Sequence, residues 1–149
     1  MALGTGVSWI DDAQSLTAIP TIAAEKCHKA FLASSVSNNN ALVANPALEN
    51  SFYFGSSEVW RIYIRSAYAT ILPQLGLNRQ TPASTAWIML TGTPGVGKSL
   101  FAIYLTHLIV HNEVNMISSI KKVCFIQKTE ADIRTLYFIK DEDDHWRAV

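Results

Sequence analysis

The chain has 149 residues, 49% of them hydrophobic and 16% charged, a balance that excludes an intrinsically disordered segment and fits a globular domain. Twelve Lys and Arg offset twelve Asp and Glu, so no overall field draws the chain to nucleic acid or to an anionic membrane. Cys27 and Cys124 match neither a disulfide framework nor a zinc pair, and both read as small buried hydrophobes of a reducing compartment.

The opening residues 1–12 lack a basic stretch leading into a continuous apolar one, and Asp11 and Asp12 break the apolar character, so no ordinary signal peptide is expected. Between Ala13 and Ala33 the apolar spacing permits one or two amphipathic helices broken at Pro20. Ser34-Ser35, Ser37-Asn38-Asn39-Asn40 and Asn45-Pro46 are turn and loop signals. Residues 1–50 therefore read as a helical and loop segment for packing or adaptor use, with no chemical site.

From Ser57, a plausible N-cap, Trp60, Ile64, Ala67, Tyr68, Ile71 and Leu75 recur at helical spacing and predict one amphipathic helix, kinked or ended at Pro73 and stopped at Gly76. Arg61 and Arg65 would share a face of it and pair with carboxylates or reach a ligand. A loop over residues 77–85 comes next. Ala86 to Thr91 is a short apolar run suited to a strand buried on both faces.

The next eight residues, Gly92, Thr93, Pro94, Gly95, Val96, Gly97, Lys98 and Ser99, satisfy the phosphate-loop pattern at every fixed position. An anionic triphosphate must be ringed by inward-pointing backbone N–H groups, and glycine lets the chain curl that tightly. Lys98 would reach the β- and γ-phosphates as the phosphate-contacting catalytic residue, and the Ser99 hydroxyl would be a direct ligand to Mg²⁺. A helix opening at Lys98 adds its N-terminal partial charge to the site, and Leu100 to His111 contain neither Gly nor Pro. Leu100 to Val110, broken by Thr106 and His107, is too short to cross a bilayer and is a core helix.

Lys121 to Gln127 predicts a second strand and Arg134 to Lys140 a third, ending in the acidic turn Asp141-Glu142-Asp143-Asp144. The same run also resembles an apolar strand ending in Asp-Glu, with Asp141 as Mg²⁺ partner and Glu142 as base. Lys140 and the two following aspartates favour the solvated turn. His107 and His111 stand four apart on one helix without a third ligand, and His28 and His145 share no metal spacing with them. No Asn-Lys-x-Asp element for reading guanine occurs, so ATP is expected to bind at least as well as GTP.

The string Trp-Ile-Met-Leu-Thr-Gly-Thr-Pro-Gly-Val-Gly-Lys-Ser-Leu-Phe-Ala-Ile-Tyr-Leu, preceded by Ile64-Arg65-Ser66-Ala67-Tyr68, resembles the P-loop segment of the Crinkler and retrotransposon-hot-spot families over roughly Phe52 to Ile139. Members join an NTPase module of AAA/STAND type to a C-terminal nuclease-like or toxin-like domain, and many Crinklers act as effectors in host nuclei. The resemblance implies nucleotide binding at Gly92 to Ser99, an Arg-Tyr helix at Arg65 and Tyr68 packing beside the loop, and a hairpin after the strand ending at Gln127. No Leu-Phe-Leu-Ala-Lys translocation motif stands near the N-terminus. The family's second acidic motif and effector domain have no counterpart here, so residues 51–149 would be an NTPase domain incomplete at its C-terminus.

The expected fold is α/β: a partial P-loop NTPase-like three-layer sandwich, its parallel sheet begun by Trp87 to Thr91 and continued by Val123 to Gln127, behind a helical N-terminal region. The expected function is binding of ATP, or GTP, with Mg²⁺ in an intracellular compartment, cytoplasmic or nuclear. Secretion into a host enters only through the family resemblance. No membrane or direct nucleic-acid partner is expected; the reading allows a protein partner or a missing effector domain. Two alternatives stand beside it. One is a small-molecule or nucleotide kinase, for which only Arg134 and Arg147 follow the loop as acceptor-site arginines; the other is a scaffold that binds nucleotide without hydrolysing it.

Overall fold

The computed structural model describes residues 21–45, 51–54, 57–75, 89–114, 121–128 and 133–148. Helix α1, Thr21–Ala33, carries Ala23, Ala24, Ala30 and Ala33, residues that lose no side-chain entropy in a helix. It ends where the Ser34 hydroxyl donates to the Phe31 carbonyl at 2.8 Å, satisfying one of the acceptors a helix C-terminus leaves open. Pro20 and the expected helical residues before it lie outside the described residues.

Strands β1, Ser35–Ser37, and β2, Ala41–Val43, form a hairpin through the predicted asparagine turn, with Asn40 at φ 51°. Asparagine tolerates that left-handed conformation because its side chain is short and polar. Strand β3, Phe52–Phe54, pairs antiparallel with β4, Ser57–Val59, and β5, Arg61–Tyr63, pairs antiparallel with β2.

Residues 57–63 are thus extended where one continuous helix was expected, and Ser57 begins a strand instead of capping a helix. Val59, Ile62 and Tyr63 suit a pleated sheet, and Ile62, opposite Leu42, is buried at 2% exposure. Burial against β2 outweighs the weak local helical pattern. The helix α2 begins only at Ser66 and ends at Ile71, passing into a 3-10 turn at Leu72–Leu75 that accommodates Pro73. Gly76, expected as the stop, lies outside the described residues. Arg61 therefore sits on β5 and Arg65 at the N-cap of α2, not on one helical face.

Helix α3, Lys98–Val110, has Phe101, Ile103, Thr106, His107, Leu108 and Val110 buried. A helix apolar nearly all round belongs in the interior. Strands β6, Lys122–Lys128, β7, Ile133–Lys140, and β8, Trp146–Ala148, make a three-stranded sheet in that order. β6 and β7 are antiparallel, in register from Lys122 opposite Ile139 to Lys128 opposite Ile133.

All strand pairings among the described residues are antiparallel. Of the strand expected to begin a parallel sheet, residues 86–88 lie outside the described residues, and Met89 to Thr91 have no strand conformation. Val123 to Gln127 pair antiparallel with Arg134 to Phe138 of β7, and no strand parallel to them occurs among the described residues.

Phe31 is the centre of the core. Its ring meets Phe52, Phe125 and Phe138 at centroid distances of 5.3, 5.6 and 5.7 Å. Tilted and edge-on pairs of this kind align ring edges with ring faces. Ile103 and Val110 of α3 and Leu136 and Trp146 of the C-terminal sheet complete the cluster. This core and the β2–β5 ladder join residues before and after position 50. Cys27 is buried, Cys124 is half-buried, and both are thiols. No helix among the described residues is long and apolar enough to cross a membrane.

Candidate functional site

The loop entering α3 takes its shape from three glycines. Gly92, Gly95 and Gly97 have φ of 154°, 81° and 90°, which side-chain-bearing residues rarely adopt. Gly97 is the N-cap of α3 and has no side chain to cap it, and the first turn contains no acidic residue. The leading N–H groups of α3 therefore receive no N-cap side chain among the described residues, while the Phe101 N–H makes the first helical bond, to the Gly97 carbonyl at 2.9 Å. Thr93, Pro94, Gly95, Val96 and Ser99 are exposed, and Leu100 is half-buried. The helix start behind this exposed glycine loop carries the positive end of the helix dipole.

Cationic and phenolic donors hold the loop's carbonyls. Lys98 Nζ donates to the Gly92 and Thr93 carbonyls at 2.8 and 2.9 Å, which folds the ammonium across the loop. From α2, the Arg65 guanidinium donates to the Val96 carbonyl at 3.0 Å and the Tyr68 hydroxyl to the Gly97 carbonyl at 3.1 Å. Four loop carbonyls, those of Gly92, Thr93, Val96 and Gly97, thus accept from side chains of α2 and α3. From the residues alone an ordinary salt bridge is the natural place for Arg65; its loop contact depends on the approach of α2 to the loop.

The position of Gly97 is also set by contact. A Cβ there would stand 3.0 Å from the Tyr68 hydroxyl and 3.4 Å from Arg65 Nε. Tyr68 is 3% exposed and packs on Phe101, with centroids 5.1 Å apart. Burial raises the Tyr68 pKa, and the nearby Arg65 charge lowers it by less, so the phenol stays protonated as a donor. Between α2 and the loop opens a cleft of about 280 Å³, walled by Ala67, Tyr68, Ile71, Leu90 and Phe101 and rimmed by Arg65 and Lys98.

Asp141 and Glu142 are not brought to this loop. Asp141 is a turn residue: Oδ1 accepts the N–H groups of Asp143 and His145 at 3.0 and 2.9 Å, and Oδ2 accepts from Arg147 Nε at 2.8 Å. These bonds hold its carboxyl below the ordinary pKa. The turn lies at the opposite end of α3, where Asn112 donates to the Asp144 carbonyl at 3.4 Å and accepts from Trp146 Nε1 at 3.1 Å. At about 1.5 Å of rise per residue, the two ends of this helix are roughly 20 Å apart. Asp141, the alternative metal partner, is thus held in the acidic turn that the sequence favoured, with Glu142, the alternative base, exposed beside it. Arg147 is likewise committed to this turn, pairing with Asp141.

His107 and His111 are tied to the end of α1. Ser34 directs its hydroxyl hydrogen at Phe31, so His107 Nδ1–H donates to Ser34 Oγ at 2.6 Å, and His111 Nε2–H donates to the Phe31 carbonyl at 2.8 Å. Burial first, then the neighbouring His111, lower the His107 pKa to about 4. At neutral pH the 3.7 Å approach of His107 Nε2 to Glu113 is therefore not an ion pair. No group of three His, Cys, Asp or Glu residues able to hold a metal ion occurs among the described residues. No family model, curated protein or solved structure matches the chain.

Proposed function

We propose that the chain binds a nucleoside triphosphate with Mg²⁺ at residues 92–99, ATP at least as well as GTP. The observation that carries this is the uncapped start of α3 behind three positive-φ glycines, with the Lys98 ammonium folded across the same loop. Phosphate oxygens would replace the Gly92 and Thr93 carbonyls as acceptors for Lys98, and the exposed Ser99 hydroxyl would meet the metal. The wider setting in this reading is an intracellular NTPase module of Crinkler or retrotransposon-hot-spot type. It is supported by the motif and by the seating of Arg65 and Tyr68 on the loop.

The placement of the acidic turn favours a second reading, nucleotide binding without turnover. Hydrolysis needs an acid to orient the metal or the water, and Asp141 is committed to Arg147 at the far end of α3.

The test is uptake of a fluorescent ATP analogue with Mg²⁺ by the parent chain and by Lys98→Ala. Charge-assisted hydrogen bonds contribute roughly 1.5–3 kcal/mol, so the variant should bind about 10- to 100-fold more weakly. Equal affinity in two equally folded proteins overturns the assignment.

A further inference from the structure

β6 is an end strand: in the sheet order β6-β7-β8 it is paired on its β7 side, and no other described strand joins it. The ladder fixes where its backbone groups point. The Lys140 N–H donates to the Lys121 carbonyl at 2.8 Å, so residues 121 and 140 are a hydrogen-bonded pair. Such pairs alternate with non-bonded ones in an antiparallel ladder, which makes Val123–Phe138 and Phe125–Leu136 bonded pairs. The N–H and C=O groups of Lys122, Cys124 and Ile126 are then directed away from β7, along the outer edge. Val123, Cys124 and Phe125 are half-buried there, and Ile126 is 46% exposed. The other ends of the three-stranded sheets, β1, β5 and β8, have three residues each, against seven in β6.

We propose that this edge takes up an extended peptide with an apolar middle and acidic ends as a fourth strand, an inference independent of the triphosphate reading. The charges select that occupant. β6 begins and ends on lysine, at 122 and 128, and Lys121 stands directly before it. In an antiparallel pairing of two β6 strands centred on Phe125, Lys122 would stand opposite Lys128 at both ends, and directly opposed like charges are unfavourable. Edge lysines of this kind discourage association between copies of a chain. Carboxylates at the two ends of a foreign strand meet the same lysines with the opposite sign. Lys122 is exposed at this end, while Lys121 is shared with Asp144 at 3.8 Å. Backbone bonds along the edge supply affinity, and alternate side chains of the peptide fall beside Ile126 on one face and beside Val123 and Phe125 on the other.

The probe is an end-capped fluorescent peptide, Glu-Glu-Val-Thr-Val-Thr-Val-Glu-Glu, compared by anisotropy with the same peptide carrying Lys in place of Glu. The acidic peptide should bind about tenfold or more tightly, the summed effect of several exposed ion pairs against as many repulsions, and added salt should narrow the difference. Amide exchange followed by NMR gives the location. In the chain alone the Cys124 and Ile126 N–H groups should exchange faster than those of Val123 and Phe125. With the acidic peptide at about ten times its Kd they should slow about tenfold. Ile126→Pro removes an N–H that β7 does not use, a change an edge strand tolerates, so this variant should fold and lose the peptide. Lys122→Glu stands in if it does not fold, and should weaken the acidic peptide while strengthening the basic one. Slow exchange at Cys124 and Ile126 in the chain alone shows an edge filled by the chain itself, and a dimer in sedimentation shows one filled by a second copy; either overturns the proposal. Equal affinities for the two peptides, no binding of the acidic one at about millimolar concentration, or unchanged binding in the folded variants overturns it as well.

Discussion

At Gly97 two constraints coincide, a φ of 90° and the Tyr68 hydroxyl within 3.0 Å of where a Cβ would be. Left-handed backbone costs a residue with a side chain roughly 1–2 kcal/mol, and Tyr68 has no room to retreat because its ring is buried on Phe101. Gly97→Ala should therefore lower the melting temperature by roughly 3–8 °C in thermal unfolding. An unchanged melting temperature would show that the loop is not held in this conformation in solution. His107 gives a second residue-level expectation. Its folded pKa, about 4, lies below the ordinary 6.5, so between those values the unfolded chain binds more protons than the folded one. The His107 contribution is complete above pH 6.5 and is lost as pH falls toward 4. Denaturant midpoints measured across that window should decline with acid, and His107→Leu, though less stable at neutral pH, should decline less steeply. Parallel profiles would assign the acid limb to other groups.

At the scale of elements, the C-terminal sheet depends on the turn that Asp141 organises. The carboxylate accepts two backbone N–H groups and the Arg147 side chain just where β7 hands over to β8, with Lys140 opposite Trp146. Asp141→Ala should speed amide exchange at Trp146–Ala148 and lower stability, while leaving affinity for ATP unchanged because the turn is roughly 20 Å from the loop by helix length. Loss of ATP affinity in a folded Asp141→Ala chain would place the turn at the site after all. The helix expected from Ser57 has a related lesson. Trp60, Ile64, Ala67, Tyr68, Ile71 and Leu75 do have helical spacing, but only the part beyond Arg65 becomes helix. The upstream residues are extended because β2 offers Ile62 a buried cross-strand place, and a helix would not.

For the whole molecule, the expected outcome is binding with little or no hydrolysis. Stabilisation of transition-state charge by an arginine alone is worth about 10³ to 10⁵ in rate, and it acts only with a positioned metal and nucleophile. A phosphate-release assay on the chain by itself should read close to background with Mg²⁺ and ATP, and Glu142→Gln should change neither this nor binding. Robust turnover that disappears in Glu142→Gln would require the acidic turn to reach the loop in another conformation.

Some of this was legible without coordinates, because it depends on short-range chemistry. The asparagine turn at 37–40, the helix starting at Lys98, the strands read at 121–127 and 134–140, and the acidic turn after Lys140 each arise from local propensity or from residues a few positions apart. The glycine spacing before Lys98 and Ser99 belongs to the same class, since positive φ is a property of single residues. Tertiary packing decided the rest. It made residues 57–59 and 61–63 strands, set Arg65 and Tyr68 on the carbonyls of Val96 and Gly97, and carried Asp141 and Glu142 to the other end of α3. Those outcomes turn on partners far apart in the chain, such as Ile62 with Leu42 and Asn112 with Trp146. A local pattern cannot rank such contacts, because the burial that decides between them exists only when both partners have arrived.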